Sequence, residues 1–217
     1  MDKFEIELLD PLFYNSTLDS GAAGANTTYP WIGDIALDYA INSALGIIKT
    51  QFKYKSHKPN YQEIKQFGFI ASMGYPETNP KKTRVYDFAT SFISDGYVDA
   101  KVLTKVGRSP FRNWIKRQGL APGSKFYFYI LYADESIKFP DTFTIRLGNM
   151  KSCIAVCKRI QPSSQDSIWV NLFSVNLFNK VNIDSVNKGN IQYFSARYVI
   201  KTNTSIDQWK SMLPGYR

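Results

Sequence analysis

The sequence predicts one α+β domain with a mostly antiparallel sheet, and three observations lead to this prediction. The chain of 217 residues is 44% hydrophobic and 15% aromatic, which favours a packed core built from strands over a helical bundle. One long helical pattern is followed by many strand patterns. The strand patterns do not alternate with helices, as the βαβ units of a parallel sheet would. Residues 1–217 are therefore treated as a single domain.

The amino-terminal part of the chain holds the first strand and the helix. Lys3 to Leu9 alternates apolar and polar residues, which indicates a strand. A glycine-containing loop, DSGAAGANTTYP, comes next, and the segment GDIALDYAINSALGII predicts a helix that begins near Asp34. Apolar residues at helical spacing give this helix a buried face. They are Leu37, Ile41, Ala44, Leu45 and Ile48.

Strand patterns dominate the remainder of the sequence. The stretches are FGFIAS, RVYDFATSFI, YVDAKVLTKV, KFYFYILYA, TFTIRL, KSCIAVCKRI, SIWVNLFSV and QYFSARYVI. After the strand predicted at 97–106, Ser109 can cap a short helix, and Gly119 can end it. The sequence therefore predicts a helical turn between these two residues.

The positive charge of the chain is concentrated in one segment. The formal net charge is +9 and the pI is about 9.4, which predicts an anionic partner such as nucleic acid or an acidic membrane surface. Residues 81–118 contain nine of the cations and three acids. One interpretation is a solvated hairpin, and the other is contact with phosphates. The cations are Lys81, Lys82, Arg84, Lys101, Lys105, Arg108, Arg112, Lys116 and Arg117.

Two aromatic residues, Phe111 and Trp114, lie among these cations. Single-stranded RNA is commonly bound by stacking its bases on aromatic rings. Trp114 can serve in this way, or it can pack the short helix onto the sheet, and the sequence leaves both roles open. Arginines at 108 and 112 are favoured phosphate contacts because a guanidinium can bind two oxygens and also stack on a base.

The sequence offers little support for a catalytic or metal site. Cys153 and Cys157 would share one face of a strand about 13 Å apart, too far for a disulfide, so we expect buried free thiols. His57 is the only histidine, which leaves no Ser-His-Asp set and no closed zinc site. No signal peptide or membrane span is recognisable, and a cytoplasmic protein without metal or other cofactor is expected.

Four stretches resemble a known family. They are LLDPLFY at 8–14, YPWIGDIALDYAINSAL at 29–45, ATSF at 89–92 with APGSKFYFYIL at 121–131, and TIRLGNMKSCIAV at 144–156. Their order and spacing resemble those of CRISPR-associated RAMP proteins that bind the 5′ handle of crRNA. The resemblance is to the Csc-one type, the fifth Cas subunit of type I-D Cascade.

This resemblance implies a modified ferredoxin-like (RRM-like) RAMP core with a projecting β-hairpin thumb, which we place at residues 81–120. It implies a non-catalytic subunit of a ribonucleoprotein complex for antiviral defence. The implied partners are the crRNA 5′ handle, a Cas7-type backbone subunit and a Cas10-like large subunit, with target DNA near the PAM left open. It implies no membrane partner.

The resemblance adds two candidate RNA contacts, Arg146 and Lys151. Arg146 precedes a turn that would lie near the RNA, and Lys151 would replace a lysine that the family often has where this chain has Asn149. The family also often has a His-Asn pair in place of Gly33-Asp34. Two alternatives remain open beside the crRNA-binding subunit. They are a metal-independent endoribonuclease that processes precursor crRNA, and a basic adaptor that binds only proteins.

Overall fold

The computed structural model describes residues 1–14, 18–20, 26–48, 61–90, 113–148, 152–163, 166–179, 190–195 and 197–217. Within these ranges, only the backbone is described for residues 18–20, 88–90, 113–115 and 193–195. The described elements form three sheets with helices packed against two of them. Apart from one parallel pair, the described strands pair in antiparallel fashion, which confirms the predicted α+β class with a mostly antiparallel sheet.

The largest sheet has five strands in the order β4-β7-β1-β9-β8. Their bounds are β1 Asp2–Leu8, β4 Phe69–Ala71, β7 Lys125–Tyr132, β8 Thr142–Leu147 and β9 Cys153–Ile160. Phe4, Ile6 and Leu8 alternate along the central strand and have no exposed surface. Because side chains of a strand alternate between faces, this period of two places them in one core.

Helix α1, Asp34–Leu45, packs on strands β4 and β8 of this sheet. It begins at the predicted residue, and Leu37 and Ile41 are fully buried in the same core, but Ala44, which was also predicted on the buried face, is exposed. Gly46 ends it in the left-handed conformation, with φ +64°, and donates its N–H to the carbonyl of Asn42. A 3₁₀ helix, Tyr61–Gln66, precedes β4 and also contacts α1.

The second sheet contains three strands in the order β10-β12-β11. Its elements are β10 Ser167–Asn171, α2 Leu172–Phe178, β11 Ile191–Ser195, β12 Tyr198–Ser205 and α3 Ile206–Met212. Trp209 of α3 is buried in a second core together with Ile70 and Tyr129 of the large sheet. The stretch SIWVNLFSV, predicted as a strand, thus becomes a helix after Asn171, and QYFSARYVI divides into two strands.

The third sheet carries part of the basic segment. Its strands are β2 Leu18–Ser20, β3 Asn26–Thr28, β5 Tyr86–Thr90 and β6 Asn113–Gln118, in the order β2-β3-β6-β5. The helical turn predicted between Ser109 and Gly119 is wrong over residues 113–118, which form β6. Pairing with β5 on one side and β3 on the other outweighs the local helix signals.

Two smaller predictions are also resolved. Both cysteines are free and buried, as expected, on the core face of β9. In the part of the chain that the structure describes, no helix is long and apolar enough to cross a membrane.

Candidate nucleic-acid interface

The hairpin base consists of strands β5 and β6 and the residues that lead into them, 81–90 and 113–118. The two strands are antiparallel, with Tyr86 opposite Arg117 and Asp87 opposite Lys116. Five cations and the single acid Asp87 fall in these ranges. The cations are Lys81, Lys82, Arg84, Lys116 and Arg117. Lys116 and Arg117 lie in β6, so this part of the basic segment forms a strand and not the predicted helical turn.

Arg84 and Tyr86 form an aromatic-cation pair at the start of the hairpin base. The guanidinium of Arg84 lies 4.9 Å from the centroid of the Tyr86 ring. Tyr86 in turn meets the ring of Phe13 edge-on, with the centroids 5.8 Å apart. The side chain of Arg84 is thus held in place while the residue stays exposed to solvent.

Hydrogen bonds fix the end of β6 against the chain before β5. Gln118 Nε2 donates to the carbonyl of Thr83 at 2.9 Å. The backbone N–H of Gly119 donates to Thr83 Oγ1 at 3.0 Å. These bonds hold the cations before β5 and those of β6 at a defined spacing, because neither chain can slide without breaking them.

The segment Leu12–Tyr14 joins the hairpin base to the end of β8. Leu12 forms a backbone bridge with Leu120, just after β6. A Cβ at Gly119 would lie 2.5 Å from the carbonyl oxygen of Leu12, and one at Gly148 would lie 2.9 Å from the carbonyl oxygen of Phe13. The two glycines therefore allow the ends of β6 and β8 to approach the same short segment.

Beyond this segment, a cleft of about 530 Å³ lies between α1 and β8. Its volume falls within the range of small-molecule sites. Arg146 lines it and is exposed, as are Ser43 and Ala44 of the helix. We call this feature the α1–β8 cleft. Its lining residues are Tyr14, Ala36, Tyr39, Ala40, Ser43, Ala44, Thr144, Ile145, Arg146, Leu147, Gly148 and Ile154.

The two tyrosines of the cleft are neutral phenols at physiological pH. Burial raises the pKa of Tyr14 well above its ordinary value, with smaller effects from Tyr198 and Cys153. Burial raises the pKa of Tyr39 as well, and Glu63 adds to the effect. Both hydroxyls are therefore poor proton acceptors, and the hydroxyl of Tyr39 already bonds to Glu63. No cluster of described residues has the three His, Cys, Asp or Glu side chains that a metal site requires.

The start of α1 is buried and does not form part of this surface. Asp34 is 2% exposed and accepts a hydrogen bond from Asn171 Nδ2 at 3.0 Å. A Cβ at Gly33 would lie 2.6 Å from the hydroxyl oxygen of Tyr198. Gly33-Asp34, where the family often has a His-Asn pair, thus packs against the second sheet.

The structure describes half of the predicted RNA-binding residues. Arg84, Lys116 and Arg117 belong to the hairpin base, where the adjacent Lys116 and Arg117 lie on opposite faces of β6, while Arg146 lines the cleft on a different sheet. Trp114 lies opposite Ala89 in β6, so it cannot pack a helix there, and its stacking role stays a prediction. The remaining predicted residues lie outside the described ranges. They are Lys101, Lys105, Arg108, Arg112 and Lys151.

Sequence reasoning missed the tyrosines of the cleft. Tyr14 belongs to the LLDPLFY stretch that carried the resemblance, but no pattern linked it to Tyr39 or to Arg146. One signal was present in the helix. Its small residues recur at helical spacing, which is the pattern of a helix face that leaves room beside it. They are Ala36, Ala40, Ser43 and Ala44.

Comparison with known proteins identifies the family. No curated protein matches the chain. The family model of the type I-D CRISPR-associated protein Cas5/Csc1 matches residues 1–210, nearly the whole length. This match confirms the resemblance found in the sequence, and the chain belongs to the type I-D Cas5/Csc1 family of CRISPR-associated proteins.

Proposed function

We propose that this chain is a non-catalytic subunit of a type I-D CRISPR effector that binds the 5′ handle of crRNA. In the proposal it also joins the Cas7-type backbone subunit to the Cas10-like large subunit. Its fold would be a modified ferredoxin-like core, since α1 follows the central strand and packs on one antiparallel sheet. Membership of the type I-D Cas5/Csc1 family supports each part of this proposal.

The observation that carries the proposal is the positive charge of the hairpin base. Arg84 and Lys116 are exposed, and neither forms an ion pair with a described residue. A solvated surface normally mixes charges of both signs. The hairpin base carries five cations against the single acid Asp87, and this excess of positive charge, held in place by the Thr83–Gln118 contact, matches the charge of an RNA backbone.

The proposal extends to the segment between β5 and β6. Thr90 pairs with Asn113, so residues 91–112 connect these two antiparallel strands. We propose that 81–120 is the thumb expected from the family. The cations of the connecting segment would then continue the charge of the hairpin base. They are Lys101, Lys105, Arg108 and Arg112.

The chemistry of the cleft supports binding over cleavage. An endoribonuclease without metal needs a general base whose pKa lies near neutrality. The pKa values of Tyr14 and Tyr39 are raised away from that range. Arg146 is exposed and can contact a phosphate, and its guanidinium has no acceptor atom.

The test is to incubate the purified chain with labelled repeat RNA in the presence of EDTA. The proposal predicts that intact RNA is retained. Cleavage would instead support the endoribonuclease, and absence of both would support the adaptor. Preferential binding of labelled duplex DNA would mean that the cations contact target DNA near the PAM instead of crRNA.

A pair of charge variants assigns the binding to the hairpin base. Arg84→Gln with Lys116→Gln should weaken RNA binding about three- to tenfold, because two exposed charge contacts are lost. The dependence of log K on log salt should become shallower by about 1.4, at roughly 0.7 per phosphate. Lys138→Gln with Lys158→Gln is the matched control, since both lysines are exposed and lie outside the interface. An equal loss of RNA affinity in the control would show that binding depends only on the net charge of the chain.

A further inference from the structure

The α1–β8 cleft is held open by the choice of residues on the helix. Leu37 and Ile41 fill the core on the buried side of α1. The side that lines the cleft carries only small side chains and one tyrosine. Large apolar residues there would pack against β8 and close the gap. The cavity of about 530 Å³ is thus a consequence of the sequence and not of loose packing.

The groups that line the cleft suit a flat, polar ring attached to an anion. Arg146 is the one charged side chain among the described lining residues, and it can bind a phosphate or stack on a ring. Tyr14 and Tyr39 contribute neutral phenols. The hydroxyl of Tyr14 is buried and has no hydrogen-bond partner among the described residues.

The position of the cleft connects it to the cations of the hairpin base. Phe13 contacts Tyr86 of β5, and the next residue, Tyr14, lines the cleft. Adjacent residues of one short segment thus contact the hairpin base and line the cleft. Proteins that bind single-stranded RNA commonly turn one base out of the stack and hold it against aromatic and arginine side chains.

We propose that the α1–β8 cleft binds a single unstacked nucleotide of the crRNA 5′ handle. This inference rests on the proposed function and specifies which part of the surface reads a base. The base lies against the small face of α1 and Tyr39, and the phosphate lies at Arg146. The hairpin base supplies affinity for the backbone, while the cleft supplies preference for one position of the RNA.

An abasic scan tests this proposal. Handle RNAs that each lack one base are titrated against the full chain by fluorescence anisotropy. One position should lose at least about fivefold in affinity, the lower end of what a stacked base contributes. The Ser43→Leu variant, which fills the cleft, should lose as much with intact RNA. It should show no additional loss with the RNA that is abasic at that position.

Two further variants complete the design. Ala44→Leu fills the cleft from a second position and should behave like Ser43→Leu. Ser211→Leu is the matched control, because Ser211 is also an exposed serine on a helix but does not line the cleft. It should reproduce the scan of the parent chain. Thermal melts establish that each variant is folded.

Three results would contradict the proposal, and they differ from one another. If every abasic RNA bound as tightly as intact RNA, the proposed function would stand, but the cleft would not bind a base. If removing the base lowered the RNA affinity equally in the parent, Ser43→Leu and Ala44→Leu, the base would lie outside the cleft. If no RNA bound even to the parent, the proposed function itself would fail.

Discussion

At the scale of residues, the least expected feature is a pair of acids on the buried side of α1. Asp34 and Asp38 are one helical turn apart, and both are at most 2% exposed. Asn171 supplies a hydrogen bond to Asp34, whereas Asp38 accepts one bond from the backbone N–H of Ala71 at 2.8 Å. The second oxygen of Asp38 has no partner among the described residues. Burial, with Asp34 nearby, raises the pKa of Asp38 well above its ordinary value.

Replacing Asp38 with Asn should therefore change how stability depends on pH. Because the folded chain holds the Asp38 proton more tightly than the unfolded chain, this proton stabilises the fold fully below about pH 4. That contribution is lost as the pH rises toward the raised pKa of the folded state. Asn does not titrate and keeps an acceptor for the Ala71 N–H.

The measurement is urea unfolding of the parent and Asp38→Asn at several pH values. The free energy of unfolding of the variant relative to the parent should increase by about 1 kcal/mol or more between pH 4 and 7. A constant difference across this range would mean that Asp38 is ionised normally in the folded chain.

At the scale of elements, the interface depends on how closely the hairpin base approaches the Leu12–Tyr14 segment. The sequence suggested that Gly119 ends a helix, but the residue follows a strand. Its lack of a side chain allows the carbonyl of Leu12 and the ring of Phe13 to lie within 3 Å of where a Cβ would stand. This contact brings the end of β6 close to the segment whose last residue, Tyr14, lines the α1–β8 cleft.

A methyl group at Gly119 should disturb its close approach to Leu12 and Phe13. Gly119→Ala should destabilise the chain by roughly 1–3 kcal/mol, because the added Cβ would lie 2.5 Å from the carbonyl oxygen of Leu12 and 2.8 Å from the ring of Phe13. Handle RNA should also bind more weakly. The measurements are a thermal melt and an RNA titration.

Gly123→Ala serves as the control for Gly119→Ala. A Cβ at Gly123 meets nothing, and only the positive φ of +76° opposes the change. We expect a loss of about 1 kcal/mol in stability and normal RNA binding. If the two variants were equally stable and bound RNA equally, the close approach at Gly119 would have no role in the interface.

At the scale of the whole molecule, the sequence predicted the class of the fold better than the site. The alternation in β1 and β8 was readable because a strand with one buried face repeats every two residues. The segment NWIKRQ was not readable as a strand, since Trp114 and Ile115 are adjacent and the flanking Ser, Pro and Gly favour helix ends. Its pairing with β5 comes from the rest of the fold.

The cleft was beyond sequence analysis for a related reason. Tyr14, Tyr39 and Arg146 lie far apart in the chain, and only the packing of α1 on β8 brings them to one cavity. The cations of the hairpin base could be predicted because they cluster in the sequence itself. The sequence therefore predicted the cluster of cations, whereas the cleft that would select one nucleotide became apparent only in the structure.

The central claim is that this basic surface binds the backbone of the crRNA handle, and its salt dependence tests that claim most directly. Labelled handle RNA is titrated with the purified chain over a series of salt concentrations. If four to six phosphates are engaged, log K should fall against log salt with a slope of roughly −3 to −4. A flat response would contradict the account, because the cations of the hairpin base would then be a solvated surface that no RNA contacts.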